Sequence, residues 1–187
     1  YSQSILFIGG TATGKTTSLN AVAQFIPHLS KAITSEDTRE ITLSHENWLS
    51  SVVPDVANPS DSRGRIEMFD LLKAAMRQRP EYILVGEVRG VEAQTLFQAM
   101  NTGHTTFSTL HAGSVDSAIH RLENEPLNVP KAMIASLNIV SSQIRLYREG
   151  KQMRRCSEIV EIMGISETKD VVVNTVFKYR PDTDSVI

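Results

Sequence analysis

Several features are scarce in this chain of 187 residues, and each scarcity excludes a class of protein. The single cysteine, Cys156, excludes an internal disulfide framework and any zinc site built from several cysteines. No run of about 18 apolar residues is present, so no membrane-spanning helix is predicted. Aromatic residues make up only 6% of the chain and its net charge is −2, which argues against a basic groove that stacks nucleic-acid bases. The length is that of one domain, or of one domain with a small appendage.

Residues 9–16 carry the most specific motif, a P-loop. They read Gly9-Gly10-Thr11-Ala12-Thr13-Gly14-Lys15-Thr16, which fits the pattern of a glycine, four residues and then Gly-Lys-Ser/Thr. An apolar run over 5–8 precedes the motif and a helical pattern over 14–26 follows it, as expected for a phosphate site. Backbone N–H groups and the helix N-terminus are predicted to hold phosphate, with Lys15 reaching the β- and γ-phosphates and the Thr16 hydroxyl binding Mg²⁺. The predicted nucleotide-binding residues are Gly10, Thr11, Ala12, Thr13, Gly14, Lys15, Thr16 and Thr17.

Strand-like and helical patterns alternate through the first two thirds of the chain, which predicts an α/β fold with a parallel sheet between helices. Strands are predicted over 5–8, 31–35, 82–85 and 105–110, and helices over 14–26, 65–78, 91–100, from about 114, and from Pro130. Residues 41–53 alternate loosely and predict short strands or a hairpin, whereas residues 54–64 predict a loop. From Ile139 onward, β-rich segments over 139–147, 157–163 and 170–179 predict an antiparallel addition to the parallel core.

Two acidic positions follow predicted strands. Glu87 comes after the apolar run over 82–85, which resembles a Walker B strand, but Gly86 stands where the usual pattern has an aspartate. Glu87 is predicted to hold a magnesium-bound water or to orient the attacking water; its alternative role is to cap the next helix. Glu36 begins an acidic turn after the strand over 31–35, and simple solvation would also explain such a turn. Because ligands of parallel sheets bind outside the carboxyl ends of the strands, both positions are expected near the P-loop.

Four segments in order resemble the motifs of one known family. Residues 9–17, 35–40, 86–89 and 102–112 are similar to the Walker A motif, Asp box, atypical Walker B motif and His box of the secretion ATPase superfamily. Its members are the hexameric motors of type II secretion, type IV pili, the archaellum and type IV secretion, and the archaeal branch is the most similar. The resemblance implies a single RecA-like P-loop NTPase domain over 1–187, with the β-rich tail over about 139–187. Because the chain starts at Tyr1 just before its first strand, we expect an amino-terminal domain upstream that this chain lacks.

The resemblance also assigns roles to individual residues. Glu36 corresponds to the Asp-box glutamate that orients or activates the attacking water, with Asp37 and Glu40 as competing carboxylates. His111 corresponds to the His-box residue, which would bond the γ-phosphate or the catalytic glutamates and so sense the nucleotide state, and His104 is the second candidate. The implied catalytic residues are therefore Glu36, Glu87 and His111, and the implied metal-binding residues are Thr16 and Glu87. The implied cofactors are ATP and Mg²⁺.

The expected function is that of an ATP-hydrolysing motor domain. By resemblance, it would form a hexameric ring with copies of itself and move a polytopic membrane platform protein, without binding nucleic acid. It would be cytoplasmic and peripheral, at the cytoplasmic face of the cell membrane. Two alternatives remain open: a RecA-like nucleic-acid translocase, and a non-enzymatic scaffold whose assembly is gated by nucleotide.

Overall fold

The computed structural model describes residues 2–54, 65–148 and 150–187. The predicted loop over 54–64 lies, apart from Pro54, outside the described residues. The strands are β1 (Ile5–Gly9), β2 (Ala32–Glu36), β3 (Trp48–Val52), β4 (Tyr82–Val85), β5 (Thr105–His111), β6 (Ile139–Arg148), β7 (Lys151–Ile165), β8 (Val171–Arg180) and β9 (Ser185–Val186). The helices are α1 (Lys15–Ala23), α2 (Met68–Arg77), α3 (Glu92–Asn101), α4 (Val115–Glu123) and α5 (Lys131–Ile134).

In the described part of the chain, the strands form one sheet in the order β3-β2-β4-β5-β1-β6-β7-β8-β9. Every pairing from β3 to β6 is parallel, and the pairings from β6 to β9 are antiparallel. The mostly parallel sheet confirms the predicted fold class. The β-rich tail, here called the β addition (β6–β9), is continuous with the core because β6 pairs in parallel with β1.

Two hydrophobic clusters lie on the two faces of the parallel core. Alternate residues of β1 and β4 belong to different clusters, as the period-2 geometry of a strand requires. One cluster contains Leu6 and Ile83 together with residues of α2, α3 and α4. The other contains Phe7 and Leu84 together with Leu19 of α1. The sheet is therefore covered by helices on both faces, and its carboxyl-terminal edge is where the P-loop and the acidic residues emerge.

The segment over 41–53 agrees only in part with the predicted short strands or hairpin. It forms no hairpin: only β3 is a strand, and β3 pairs in parallel with β2. Side chains of α1 and of its C-cap residue satisfy the backbone ahead of β3. Asn20 of α1 bonds Glu40 O and Thr42 N, and Nε2 of the C-cap residue Gln24 donates to Thr42 O. The segment therefore packs against α1 without needing a strand partner.

The start of β7 also differs, because it begins at Lys151 rather than near Ser157. Antiparallel pairing with β6 extends through Arg148–Lys151, which adds the polar residues 151–156 to the strand. Among the described residues, no helix has both the length and the apolar character needed to cross a membrane.

Candidate functional site

The P-loop joins β1 to α1 at the carboxyl-terminal edge of the sheet. Gly14 precedes α1 with φ 98°, a left-handed conformation that glycine adopts without strain. No side chain caps the N-terminus of α1. The first N–H groups of a helix have no acceptor within the helix, so these donors are available to bind an anion.

Lys15, the first residue of α1, places its ammonium group inside this loop. Its Nζ donates to the carbonyl oxygens of Gly9 at 3.1 Å and Gly10 at 2.8 Å. Burial lowers the pKa of Lys15, and the charges of Glu87 and Glu40 oppose that shift. The P-loop therefore carries a partly buried cation with carboxylates nearby.

Glu36, the last residue of β2, is fully buried, with 0% of its surface exposed. Its Oε1 accepts hydrogen bonds from the backbone N–H groups of Glu40 and Ile41, each at 2.8 Å. Its Oε2 is also buried and has no hydrogen-bond partner among the described residues. Burial raises the pKa of the carboxyl, and the two amide hydrogen bonds oppose this shift. Because an unpartnered buried carboxylate oxygen destabilises the fold, the arrangement indicates a ligand-related role.

Glu87 lies between Lys15 and an exposed arginine. Arg89 Nη2 contacts Glu87 Oε2 at 2.5 Å, and Arg89 Nη1 lies 3.5 Å from Asp37 Oδ2. The hydrogen bond with Glu87 raises the pKa of Arg89. The alternative role of Glu87 as a helix cap is not observed, because no side chain caps the N-terminus of α3. Glu92 Oε1 accepts from the N–H groups of Arg89 and Gly90, which precede that helix.

The two histidine candidates lie at opposite ends of β5. His111 ends the strand, and its Nε2 lies 3.2 Å from Thr11 Oγ1 of the P-loop. Arg121 Nη1 donates to the His111 carbonyl oxygen at 2.7 Å and so fixes its backbone. His104 precedes β5 and bonds Thr102 and Ala99 at the end of α3, so it does not reach the P-loop.

A single cavity of about 560 Å³ gathers these groups. This volume lies within the usual range for small-molecule sites. Of the predicted site residues only Gly10 does not line it, and the carbonyl oxygen of Gly10 accepts from Lys15 and Thr13. The lining residues are Thr11, Ala12, Thr13, Gly14, Lys15, Thr16, Thr17, Glu36, Asp37, Thr38, Glu40, Gly86, Glu87, Arg89, Thr109, His111 and Arg154. The structure thus brings Glu36, Glu87 and His111 to the P-loop.

A family comparison agrees with this geometry. The model of the family described as "Type II/IV secretion system protein" matches residues 2–181. This chain belongs to that family. The resemblance expected from the four motifs is thereby confirmed.

The relatives of this secretion family include archaeal and bacterial proteins. The chain is 46% identical over 186 residues to the uncharacterised protein MJ1287 of Methanocaldococcus jannaschii, covering 99% of this chain and 68% of that protein. Two further proteins of that organism, MJ0900 and MJ0781, are covered over only 33% and 14% of their length. The conjugal transfer protein TrbB of Rhizobium radiobacter is 35% identical over 168 residues, covering 87% of this chain and 49% of TrbB. The archaeal relatives agree with the expected similarity to the archaeal branch.

Solved structures of secretion proteins share the fold. The VirB11 ATPase of the Brucella suis type IV secretion system, in complex with sulphate, has a TM-score of 0.71 and 26% identity, covering 84% of this chain and 48% of VirB11. The pilus retraction motor PilT with bound ADP has a TM-score of 0.63 at 24% identity, covering 90% of this chain and 50% of PilT, and supports the fold alone. The chain spans about half the length of these solved proteins.

Of the residues that line the cavity of this secretion-family domain, Arg154 of β7 is the one that lies outside the four motif segments. Its Nε donates to the carbonyl oxygen of Ala12 in the P-loop at 2.8 Å. No motif marks Arg154, because its position depends on how β7 pairs with β6. The available signal was the turn at residues 149–151, which predicts that residues near 154 lie opposite residues near 145 in a hairpin.

Proposed function

We propose that this domain binds ATP with Mg²⁺ in the P-loop cavity and hydrolyses the bond between its β- and γ-phosphates. The observation that carries the proposal is Glu36, a fully buried carboxylate with one unpartnered oxygen, in the wall of a cavity lined by a P-loop. Phosphoryl transfer to water needs a positioned water and neutralised charge, and little covalent chemistry from the protein. A carboxylate opposite a phosphate-binding loop supplies the first requirement, and Lys15 supplies part of the second.

The residues present fit a nucleotide with its metal. The uncapped N-terminus of α1 and the left-handed Gly14 provide N–H donors for phosphate oxygens. Thr16 and Glu87 line the cavity and provide the oxygen ligands that Mg²⁺ prefers. Within 2–54, 65–148 and 150–187, no group of three or more His, Cys, Asp or Glu side chains is arranged to hold a metal by itself. This suits Mg²⁺, which is commonly held by one or two protein groups together with substrate phosphates.

Each side chain has a distinct proposed task. Lys15 binds the β- and γ-phosphates. Thr16 and Glu87 would hold Mg²⁺, which when bound would supply charge neutralisation at the phosphate oxygens. Glu36 orients the attacking water and accepts its proton at the unpartnered Oε2; a raised pKa makes the carboxyl a better proton acceptor. His111, within reach of Thr11, reports on the presence of the γ-phosphate through the P-loop.

In the cell we propose that hydrolysis drives a ring-forming motor of a secretion, pilus or archaellum system. Membership of the type II/IV secretion family and the likeness to the VirB11 ATPase support this assignment. The motor would assemble as a hexamer, act on a polytopic membrane platform protein and lie at the cytoplasmic face of the membrane. ATP and ADP differ by the γ-phosphate, so a nucleotide shifts the arrangement of the ring only through contacts that sense this group.

Phosphate release from ATP with Mg²⁺, measured beside nucleotide binding, tests the proposal. Lys15→Ala is expected to abolish tight binding or turnover, since it removes the P-loop cation. The matched control is Lys178→Ala, which removes an exposed lysine of β8 outside the cavity and is expected to retain wild-type values. Failure of the wild-type chain to bind ATP in a magnesium-dependent manner would reject the site, and so would unchanged turnover in Lys15→Ala. Binding without phosphate release would instead favour a nucleotide-gated scaffold.

A further inference from the structure

The β addition contributes one side chain to the nucleotide cavity. Arg154 lines the cavity and donates from Nε to the Ala12 carbonyl oxygen of the P-loop at 2.8 Å. In the part of the chain that the structure describes, Nη1 and Nη2 of Arg154 have no hydrogen-bond partner and no carboxylate forms a salt bridge with them. Two charged donors are therefore available beside the loop that is proposed to hold phosphate.

A second observation indicates that an anion belongs beside Arg154. Arg145 of β6 lies directly opposite Arg154 in the antiparallel pairing, so the two side chains share one face of the sheet. Like charges in such directly opposed pairs destabilise a sheet unless a counter-charge is present. The neighbouring cross-strand pairs on that face carry no charge: they are Gln143 with Cys156 and Tyr147 with Gln152. Among the described residues, neither arginine forms a salt bridge.

The next residue along β7 fixes the backbone that carries Arg154. Arg155 Nη1 donates to the Arg154 carbonyl oxygen at 2.9 Å. Arg155 also binds Asp184 through Nε and Nη2, both at 2.7 Å, and Tyr179 donates its hydroxyl to the same carboxylate at 2.8 Å. A bidentate pair of this kind has strong geometric specificity. The bonds of Arg155 to Asp184 thus hold the part of β7 from which Arg154 reaches the P-loop.

We propose that Arg154 binds the phosphate chain of the nucleotide, as a second cation supplied by the β addition. The inference rests on the proposed function and extends the phosphate site beyond the P-loop itself. Nε orients the guanidinium on Ala12, and the two Nη groups donate to phosphate oxygens, for which the planar arginine fork is suited. The phosphates supply a counter-charge to Arg154, which forms no salt bridge among the described residues.

Equilibrium titration of the chain with ATP and Mg²⁺ tests the inference, with sodium tripolyphosphate as a competing probe that has phosphates but no base. Arg154→Ala is expected to weaken ATP binding about tenfold, the loss typical of one charge-assisted contact. Tripolyphosphate competition is expected to weaken by the same factor. Arg154→Lys is expected to recover part of the loss, because a lysine keeps the charge without the fork.

Arg145→Ala is the matched control. It removes the same charge from the facing position but from a residue that does not line the cavity, so ATP affinity is expected to change less than about twofold. Wild-type ATP affinity in Arg154→Ala would overturn the inference. A loss of ATP affinity without a matching loss of tripolyphosphate affinity would overturn it too. A loss that Arg154→Lys does not relieve, with a lowered melting temperature in the absence of nucleotide, would assign Arg154 a purely structural role and overturn it too. If the wild-type chain binds no ATP, the proposed function and this inference fail together; wild-type binding with an unaffected Arg154→Ala rejects this inference alone.

Discussion

Replacing Gly86 by alanine gives a sharp test of how the site positions Glu36. Gly86 follows β4 and stands where the Walker B pattern usually has an aspartate. A Cβ at Gly86 would lie 3.2 Å from Glu36 Cγ, 3.5 Å from its Cβ and 3.6 Å from its Oε1. The backbone of Gly86 is not in the left-handed region, so alanine brings only this contact and no backbone strain. Glycine therefore leaves the space that the Glu36 side chain fills.

The size of the effect follows from these distances. Carbon atoms pack best at about 3.5–4.0 Å, so a contact of 3.2 Å requires Glu36 to move by a few tenths of an ångström. Glu36 is fully buried and bonded to two amides, so it cannot move without weakening those bonds. Overpacking of this kind costs about 1–3 kcal/mol of stability. Since a displacement of about 1 Å can cost about 100-fold in rate, the smaller shift predicts a kcat about tenfold lower.

Steady-state phosphate release and thermal unfolding measure the two consequences. Among the described residues, Gly86 forms its hydrogen bonds with Ser35 and Thr109 and not with the P-loop or Lys15. The KM for ATP in Gly86→Ala is therefore expected to stay within about twofold of the wild-type value. Gly113→Ala is the control, because a Cβ at Gly113 meets nothing within 4 Å although the residue lies just beyond His111. A Gly86→Ala variant with wild-type kcat would refute the positioning argument, as would an equal loss in Gly113→Ala.

Two carboxylate substitutions test the acidic side of the cavity. Glu36→Gln is expected to lower turnover at least about 100-fold, because it removes the proton acceptor. The fold raises the pKa of Glu36 above its ordinary value of 4.5, so protonation of this carboxyl stabilises the folded state. This contribution to the free energy of unfolding is fully present below pH 4.5 and is lost as pH rises through the pKa of the folded state. Urea unfolding over this range should show wild type losing stability relative to Glu36→Gln, and parallel pH profiles would contradict the assigned environment. Glu87→Gln is expected to retain bound ATP in filter binding while most phosphate release is lost; normal hydrolysis would exclude a catalytic role for Glu87.

Local patterns were sufficient to predict the core of this fold. The P-loop motif, the buried strand before Gly86 and the alternation of strands with helices each depend on residues close together in sequence. Because parallel strands end at a common edge, the carboxyl ends of β2, β4 and β5 could be expected to bring Glu36, Glu87 and His111 to the P-loop. The structure has this arrangement.

Contacts between distant segments could not be predicted in the same way. The segment before β3 has an alternating pattern typical of strands, but its backbone bonds Asn20 of α1 and the C-cap residue Gln24 instead of a neighbouring strand. The position of Arg154 depends on the register of β6 with β7, which shifts at a bulge between Ser142 and Gln143. A shift of one residue in that register would turn Arg154 to the other face of the sheet.

The same register connects the nucleotide loop to the β addition. Gly9, the first residue of the P-loop, pairs with Gln143 of β6, and β7 returns along β6 to place Arg154 on Ala12. The P-loop is therefore bonded to this hairpin through both its backbone and a side chain. If Arg154 binds phosphate, nucleotide affinity depends on the position of β7. Coupling between binding sites is reciprocal, so any subunit or partner that displaces β7 would change ATP affinity by the same factor by which ATP changes the binding of that partner.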